Sequence, residues 1–242
     1  MEIRIIHFYP DLMSLYGSYA NVAVLKRQLE QMGNSVTVET IQPGASEAGL
    51  VDPDFIFMGA GTERAQKAAL ADFTRYESAI KAAAEDGVAM LFAGTSMELL
   101  GKSITDDAGQ EYAALGLADF TTVQTKKRFV EDVYGATDLY AEPVVGFINK
   151  SSTISGVETP LLTSVQLGYG NEGLKTPEGF RYKNVIGSHL TGPILVKNPR
   201  LLDVVVSAIY EKRGEALPET RPTNQWTEDG YAITAEQLKQ RI

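Results

Sequence analysis

The residues best placed to do chemistry lie in the stretch 88–101, which reads Val-Ala-Met-Leu-Phe-Ala-Gly-Thr-Ser-Met-Glu-Leu-Leu-Gly. Its apolar start predicts a buried parallel strand, and the small residues that follow predict a sharp turn into a short helix. This is the geometry of a nucleophile elbow, which raises one side chain to the carboxyl edge of a sheet. The chain contains no cysteine, however. Gly94, Thr95 and Ser96 at the apex offer two hydroxyl groups, and a hydroxyl needs an adjacent base to act as a nucleophile.

A second feature is the turn Gly59-Ala60-Gly61-Thr62, which follows the apolar stretch 55–58. A glycine-rich turn of this kind can present backbone N–H groups to an anion. The simpler interpretation is a tight connection from a strand to a helix, with Thr62 as the N-cap. Both interpretations can hold together.

Strands and helices alternate in the first half of the chain. The predicted strands are residues 2–8, 36–41, 55–58 and 88–92. Apolar residues at helical spacing predict one helix from Asn21 to a C-cap at Gly33, and a long helix closed by Gly87. The apolar face of the long helix comprises Ala69, Phe73, Tyr76, Ile80 and Ala83. This order predicts a parallel sheet with helices on both faces.

The second half, from about Gly116 to Leu195, is rich in Thr, Val, Tyr, Phe and Gly and has no long helical period. Its predicted strands, which we place in a more antiparallel layer, are residues 121–127, 144–149, 161–167 and 180–190. A helix is predicted from about Pro199 to Arg213.

We therefore assign residues 1–214 to one α/β domain and residues 215–242 to a C-terminal tail. The tail is either loosely packed or docked on a partner. Within it, Thr234-Ala235-Glu236-Gln237 resembles a capping box that opens a last short helix.

The composition excludes several classes of protein. With 31 acidic and 22 basic residues the net charge is −9, which argues against non-specific nucleic-acid binding. The one short basic cluster is Lys126-Lys127-Arg128. The absence of cysteine excludes disulfides and thiolate metal sites, and we expect neither a metal nor a cofactor. No signal-peptide pattern and no 18-residue apolar stretch is present, so we expect a cytoplasmic protein without a membrane span.

Several blocks of the chain, in the same order, resemble one family. These blocks are residues 9–21, 59–66, 94–101, 116–120, 125–128, 146–149, 168–171 and 183–199. They resemble the class I glutamine amidotransferases of the cobyric acid synthase type, over roughly residues 1–212. Within that family they are most similar to the glutaminase subunits of lipid II isoglutaminyl synthases.

The resemblance implies a flavodoxin- or Rossmann-like three-layer α/β sandwich, with a mostly parallel central sheet and an antiparallel extension in the second half. It implies release of ammonia from glutamine for a Mur-ligase-like synthetase subunit, in a heterodimer that amidates peptidoglycan. It also implies that Gly61, in the turn with Gly59 and Ala60, supplies an oxyanion-hole N–H. Arg128 would bind the glutamine carboxylate or the partner, or else be a solvated surface charge.

Two departures from the family bear on the chemistry. The family's elbow resembles Cys-Gly-Gly-Tyr-Gln-Leu-Leu-Gly, and its cysteine falls on Gly94. The family's late motif resembles Gly-Thr-Tyr-Leu-His-Gly-Pro; its general-base histidine falls on Thr191, and its tyrosine on His189. Glutamine hydrolysis needs both a thiolate and a base. The sequence therefore predicts that the glutaminase activity has been lost.

Three hypotheses stay open. The first is a non-catalytic subunit that binds a Mur-ligase-type partner or senses glutamine or a related small ligand. The second is an active amidohydrolase with a rebuilt site, in which Thr95 or Ser96 is the nucleophile and His189 the base, since positions 189 and 191 would share a face of a strand. Otherwise Thr95 and Ser96 cap the following helix, and His189 is an ordinary, partly buried histidine. The third is a purely structural interaction module. We favour the first.

Overall fold

The computed structural model describes residues 1–45 and 50–242. The strands are β1 (Glu2–Phe8), β2 (Ser35–Ile41), β3 (Phe55–Met58), β4 (Ala89–Ala93), β5 (Ser103–Thr105), β6 (Glu111–Ala113), β7 (Thr121–Ala136), β8 (Val144–Ser155), β9 (Ser164–Leu167), β10 (Phe180–Tyr182) and β11 (Val185–Ser188). The α-helices are α1 (Ala20–Gln31), α2 (Glu63–Phe73), α3 (Glu77–Glu85), α4 (Ile194–Lys197), α5 (Pro199–Arg213) and α6 (Gln225–Lys239).

A six-stranded sheet of order β10-β11-β4-β3-β1-β2 forms the centre of the fold. All of its pairings are parallel except that of β10 with β11. Every residue of β3 and β4 is buried, as expected for parallel strands that are covered on both faces. The predicted parallel sheet is therefore confirmed.

Two apolar clusters lie on opposite faces of this sheet. Side chains of α1 and α5 pack with Ile3 and Ile5 of β1 in one cluster. Side chains of α2 and α3 pack with Ile6 and Phe8 of the same strand in the other, because successive residues of a strand point to opposite faces. The predicted three-layer α/β sandwich is confirmed. No helix of the described chain is long and apolar enough to cross a membrane.

The single long helix predicted to end at Gly87 is wrong. The helix α2 ends at Phe73, a 3-10 turn spans Thr74–Tyr76, and α3 begins at Glu77. The tighter turn brings residues three apart onto one side. As a result Phe73 and Tyr76 both pack edge-on against Phe8, each with a centroid distance of 5.1 Å.

The second half supplies a smaller, mostly antiparallel sheet of order β6-β5-β7-β8, with β9 paired to β7. This is the predicted antiparallel extension. The stretch 180–190 does not belong to it, contrary to expectation. Instead β11 pairs in parallel with β4, with Val185 opposite Met90, because its buried apolar side chains belong to the core of the central sheet.

The helix predicted over Pro199–Arg213 is confirmed as α5. The predicted capping box at Thr234 is wrong. The N-cap of the last helix is Asn224, ten residues earlier, whose side chain accepts a hydrogen bond from the Trp226 N–H. Thr234 Oγ1 instead donates to the Gly230 carbonyl inside the helix, at 2.7 Å. This helix contacts the body of the protein through Tyr231, whose hydroxyl donates to the Pro143 carbonyl at 2.8 Å.

Candidate functional site

A cavity of about 270 Å³ lies at the carboxyl edge of the central sheet. Strands β3 and β4 end here in the two turns singled out from the sequence, and the chain that follows β11 closes the cavity. Its lining residues are Leu15, Tyr16, Ala60, Gly61, Thr62, Glu63, Gly94, Thr95, Arg128, Asn149, Lys150, His189 and Thr191. The fold thus brings together all of the predicted site residues except Gly59 and Ser96, which do not line the cavity. This edge is where open α/β folds bind their ligands.

The apex of the elbow is Gly94, which is buried and has φ of +68°. Glycine adopts this left-handed conformation at little cost, whereas an L-residue is strained in it. The elbow turn is therefore formed, but without a side chain. A Cβ atom added to Gly94 would lie 2.5 Å from Cβ of Ala60, far inside van der Waals contact. Ala60 thus fills the space that a side chain at the apex would need.

The hydroxyl of Thr95 is bound on the neighbouring turn. It accepts a hydrogen bond from the Gly61 N–H at 3.0 Å and donates to the Gly61 carbonyl at 2.9 Å. The N–H that the resemblance assigns to an oxyanion hole is therefore already paired within the chain. Thr62 Oγ1 accepts from the Ala65 N–H at 3.1 Å, which confirms Thr62 as the N-cap of α2.

The hydroxyl of Ser96 is fully buried, 2.9 Å from the Met58 carbonyl and 3.0 Å from the Ala93 carbonyl. The expectation that Thr95 and Ser96 cap the helix after the elbow is wrong. That helix is a 3-10 segment, Gly94–Leu100, and it has no side-chain cap. Both hydroxyls instead hold the elbow to β3 and to the turn after it.

Thr191 and His189 follow the end of β11 and are not in a strand, so the expectation that they share a strand face is wrong. The Thr191 hydroxyl donates to the Phe147 carbonyl at 3.0 Å. His189 is 1% exposed, more deeply buried than the sequence suggested. Its Nε2 lies 3.0 Å from Oε1 of Glu98, and it has no hydrogen bond to Thr95 or Ser96.

Glu98 is a buried residue next to the cavity whose contacts the sequence reasoning missed. Besides His189, it accepts hydrogen bonds from Ser152 at 2.5 Å and from Gln66 at 2.7 Å. Burial raises the pKa of Glu98, but these bonds outweigh burial and hold it below its ordinary value. Burial and the nearby Lys150 lower the pKa of His189 to about 4. The sequence did offer one sign of this network. Glu98 is the single acidic residue in the apolar run Met-Glu-Leu-Leu, and a carboxylate buried in such a run needs hydrogen-bond partners.

Two more buried charged groups surround His189, and nothing in the sequence pattern marked them. Glu178 Oε1 accepts from the backbone N–H of His189 at 2.7 Å, and burial raises the pKa of Glu178 to about 7. Lys150 donates to the carbonyls of Gly170 and Asn171 at 2.8 and 3.1 Å, and burial lowers its pKa to about 8. The floor of the cavity therefore rests on a buried polar network.

Arg128 stands at the mouth of the cavity, about half exposed. Its guanidinium donates to Oε1 of Glu63 at 3.0 Å and to the Asn149 side chain at 2.9 Å. Ser151 donates to the same Glu63 oxygen at 2.6 Å. Arg128 is thus held by an internal carboxylate at the position where the resemblance implies that it meets a ligand or a partner.

The comparisons with known proteins agree on one family. The CobB/CobQ-like glutamine amidotransferase domain matches residues 4–199. The GatD subunit of lipid II isoglutaminyl synthase (glutamine-hydrolyzing) from Staphylococcus aureus (strain N315) is 31% identical over 215 residues, which cover 88% of this chain and 86% of that protein. The corresponding subunit of Streptococcus pneumoniae (strain ATCC BAA-255 / R6) is 31% identical over 220 residues, covering 89% and 84%.

Solved structures show the same fold at low sequence identity. PurLQS from Thermotoga maritima aligns with a TM-score of 0.52 and 15% identity, over 87% of this chain and 99% of that one. The glutaminase domain of Trypanosoma brucei CTPS with bound acivicin aligns with a TM-score of 0.51 and 12% identity, over 92% and 98%.

Proposed function

Because the chain belongs to the CobB/CobQ-like glutamine amidotransferase family, we propose that it is a member without glutaminase activity, kept as a subunit that binds a partner or senses a ligand. The partner we propose is a Mur-ligase-like synthetase that amidates peptidoglycan. The small ligand of the cavity is glutamine or a related molecule. The relatives' description as a subunit supports the existence of a partner.

One observation carries the proposal. Each position at which the family's chemistry would occur is occupied by something else. The apex is the side-chain-free Gly94, with Cβ of Ala60 in the space a nucleophile would need. The Gly61 N–H is paired with Thr95, and Thr191 is bound to a backbone carbonyl. Hydrolysis of an amide requires a nucleophile, a base and a free oxyanion donor at one point, and these contacts therefore support the proposal that the activity has been lost.

The rebuilt Thr/Ser–His site has no support in this geometry. Thr95 and Ser96 have only backbone partners, whereas His189 is bound to Glu98. A hydroxyl nucleophile needs a base within about 3 Å, allowing some loosening without substrate.

A restoration series tests the loss of chemistry. The variant Gly94→Cys/Thr191→His puts back the two residues of the family but leaves Ala60 against the new side chain and Thr95 on the Gly61 N–H. We expect it to release no glutamate from glutamine. Adding Ala60→Gly and Thr95→Gly clears both obstructions, and we expect this fourfold variant to turn over.

Each outcome decides a different point. Turnover by Gly94→Cys/Thr191→His alone would show that Ala60 and Thr95 are no obstruction. A fourfold variant that folds but stays silent would show that the site has lost more than these groups, and it would contradict the claim that these four positions account for the loss of activity. Circular dichroism and thermal unfolding confirm folding of each variant.

The partner is tested with a Mur-ligase-like synthetase from the same organism. The two proteins are co-expressed, and amide formation is measured with either ammonium or glutamine as the nitrogen source. We expect a stable complex that uses ammonium and not glutamine. Failure to form a complex would contradict the subunit role, and use of glutamine would contradict the loss of glutaminase activity.

A further inference from the structure

A groove of about 500 Å³ adjoins the cavity and is lined by four positive side chains from two elements, together with the acidic side chains of Glu63 and Asp107. Arg64 and Lys67 come from α2, and Lys126 and Arg128 come from β7. We call this the basic groove. Its position is notable because the chain as a whole carries a net charge of −9.

A bulge in β7 exposes part of this charge. The pairing of β7 with β8 breaks between Gln124 and Phe129, so residues 125–128 leave the ladder. Thr125 Oγ1 donates to the Lys127 carbonyl at 3.0 Å and closes the bulge. Bulges re-aim side chains next to functional sites, and here three consecutive cations, 126–128, become exposed.

The positive charges of the groove are only partly neutralised. Lys67 pairs with Asp106 at 2.6 Å, and Arg128 pairs with Glu63. Arg64 and Lys126 are exposed and have no ion-pair partner within residues 1–45 and 50–242. Like charges that share a groove repel one another, and an anion bound between them removes that cost.

The basic groove and the cavity share two residues, Glu63 and Arg128. The ion pair between them is about half exposed on the Arg128 side. A carboxylate that enters the groove therefore competes with Glu63 for the guanidinium, which can bind a carboxylate through two parallel hydrogen bonds. Occupation of the groove then changes the mouth of the cavity.

We propose that the basic groove docks a segment of the partner protein rich in Asp and Glu, and that this segment takes Arg128 from Glu63. The proposal rests on the partner-binding function above. The chain as a whole carries a net charge of −9, so a cluster of four cations stands out against an acidic average. Charge complementarity of this kind fixes where and in which register a partner docks.

The probe is a fluorescently labelled octaglutamate peptide, measured by anisotropy with the full-length protein. The groove variant is Arg64→Glu/Lys126→Glu. The matched control, Lys175→Glu/Lys239→Glu, makes the same charge change at two exposed lysines outside the groove. We expect the groove variant to bind at least about tenfold more weakly than wild type, and the control to stay within about twofold. Binding by wild type should weaken between about 20 and 150 mM salt.

A second variant tests the competition for Arg128. Glu63→Gln removes the internal carboxylate, and we expect about threefold tighter peptide binding. Equal affinities of the groove variant and the control would overturn the proposal. So would tighter binding of inorganic triphosphate than of octaglutamate at about 150 mM salt, which would make the groove a phosphate site. None of these results depends on glutamine hydrolysis. The docking proposal can therefore fail while the proposed loss of glutaminase activity stands, and the reverse.

Discussion

His189 and Glu98 are hydrogen-bonded at 3.0 Å although they lie 91 positions apart, and each is 1% exposed. An ionised carboxylate can only accept, so Nε2 of the neutral imidazole carries the proton. Glu98 stands where the family resemblance has glutamine, and His189 where it has tyrosine. The two positions thus contact one another in the interior of the site.

This pairing predicts coupling between the two positions. Glu98→Gln should cost about 1–3 kcal/mol of unfolding free energy, because its amide N–H₂ would meet the Gln66 donor and leave a buried group unpaired. Glu98→Gln/His189→Tyr should cost less than the sum of the single changes, by about 1 kcal/mol or more. Urea denaturation measures all four proteins.

The control for this cycle is Glu77→Gln, at an exposed carboxylate that pairs with Lys81 at 2.7 Å. It should change stability by less than about 0.5 kcal/mol, as surface ion pairs do. Strict additivity of the changes at 98 and 189 would show that the two positions are not coupled.

The contact between Gly94 and Ala60 gives a second prediction. Gly94→Ala should destabilise the protein by about 2–5 kcal/mol, through left-handed strain and overpacking together. Ala60→Gly in the same chain should recover the overpacking part, about 1–3 kcal/mol.

Gly109→Ala is the matched control for this pair. Gly109 also has a positive φ, +85°, but an added Cβ would meet nothing within 4 Å. Gly109→Ala therefore measures backbone strain alone, and Gly94→Ala should lower the free energy of unfolding by a larger amount. If the two costs were equal, Ala60 would not obstruct the apex.

Thr95 provides a third prediction. Thr95→Val keeps the shape but removes both hydrogen bonds to Gly61, and should cost about 1–2 kcal/mol. Thr95→Ser keeps the hydroxyl and should stay within about 0.5 kcal/mol of wild type. Hydrogen exchange of the Gly61 amide should become faster in the valine variant only. An unchanged exchange rate would mean that Thr95 does not occupy this donor.

His7 gives a prediction for pH. It is buried, its Nε2 has no hydrogen-bond partner among the described residues, and burial lowers its pKa to about 4. Between about pH 6.5 and 4 the unfolded chain binds a proton at His7 that the folded chain does not, so stability falls as the pH falls through this window. The lowered pKa corresponds to about 3 kcal/mol.

In His7→Leu this contribution should vanish. The variant should lose less stability than wild type between pH 7 and pH 4.5, by up to about 3 kcal/mol. Part of the wild-type loss should remain, because His189 also titrates in this window. If the free energy of unfolding had the same pH dependence in the two proteins, His7 would not be the group responsible.

The sequence was most informative where local pattern and tertiary structure agree. The buried strands β3 and β4, the helix α5 and the two turns at the sheet edge follow from apolar runs and small residues. The break after Phe73 could not be predicted, because the apolar spacing continues through Tyr76 and the bend depends on the Phe8 ring. The start of α6 was missed because its first turns expose Trp226 and have little apolar periodicity.

In the candidate site, too, the sequence predicts the local turns but not the contacts between distant elements. Gly94, Thr95 and Ala60 lie in turns that the sequence marks, but the 2.5 Å separation of Ala60 Cβ from a side chain at 94 exists only in three dimensions. Glu178 and Lys150 were missed because each is an ordinary charged residue in sequence, and their burial comes from the packing of distant elements.

The most direct test of the central claim is glutamate release from glutamine by the purified wild-type protein, alone and with a Mur-ligase-like synthetase. We predict no release above the buffer control at any protein concentration. Release that scales with protein concentration and disappears in Thr95→Ala or Ser96→Ala would contradict the account, and would show that a hydroxyl group at the elbow performs the hydrolysis.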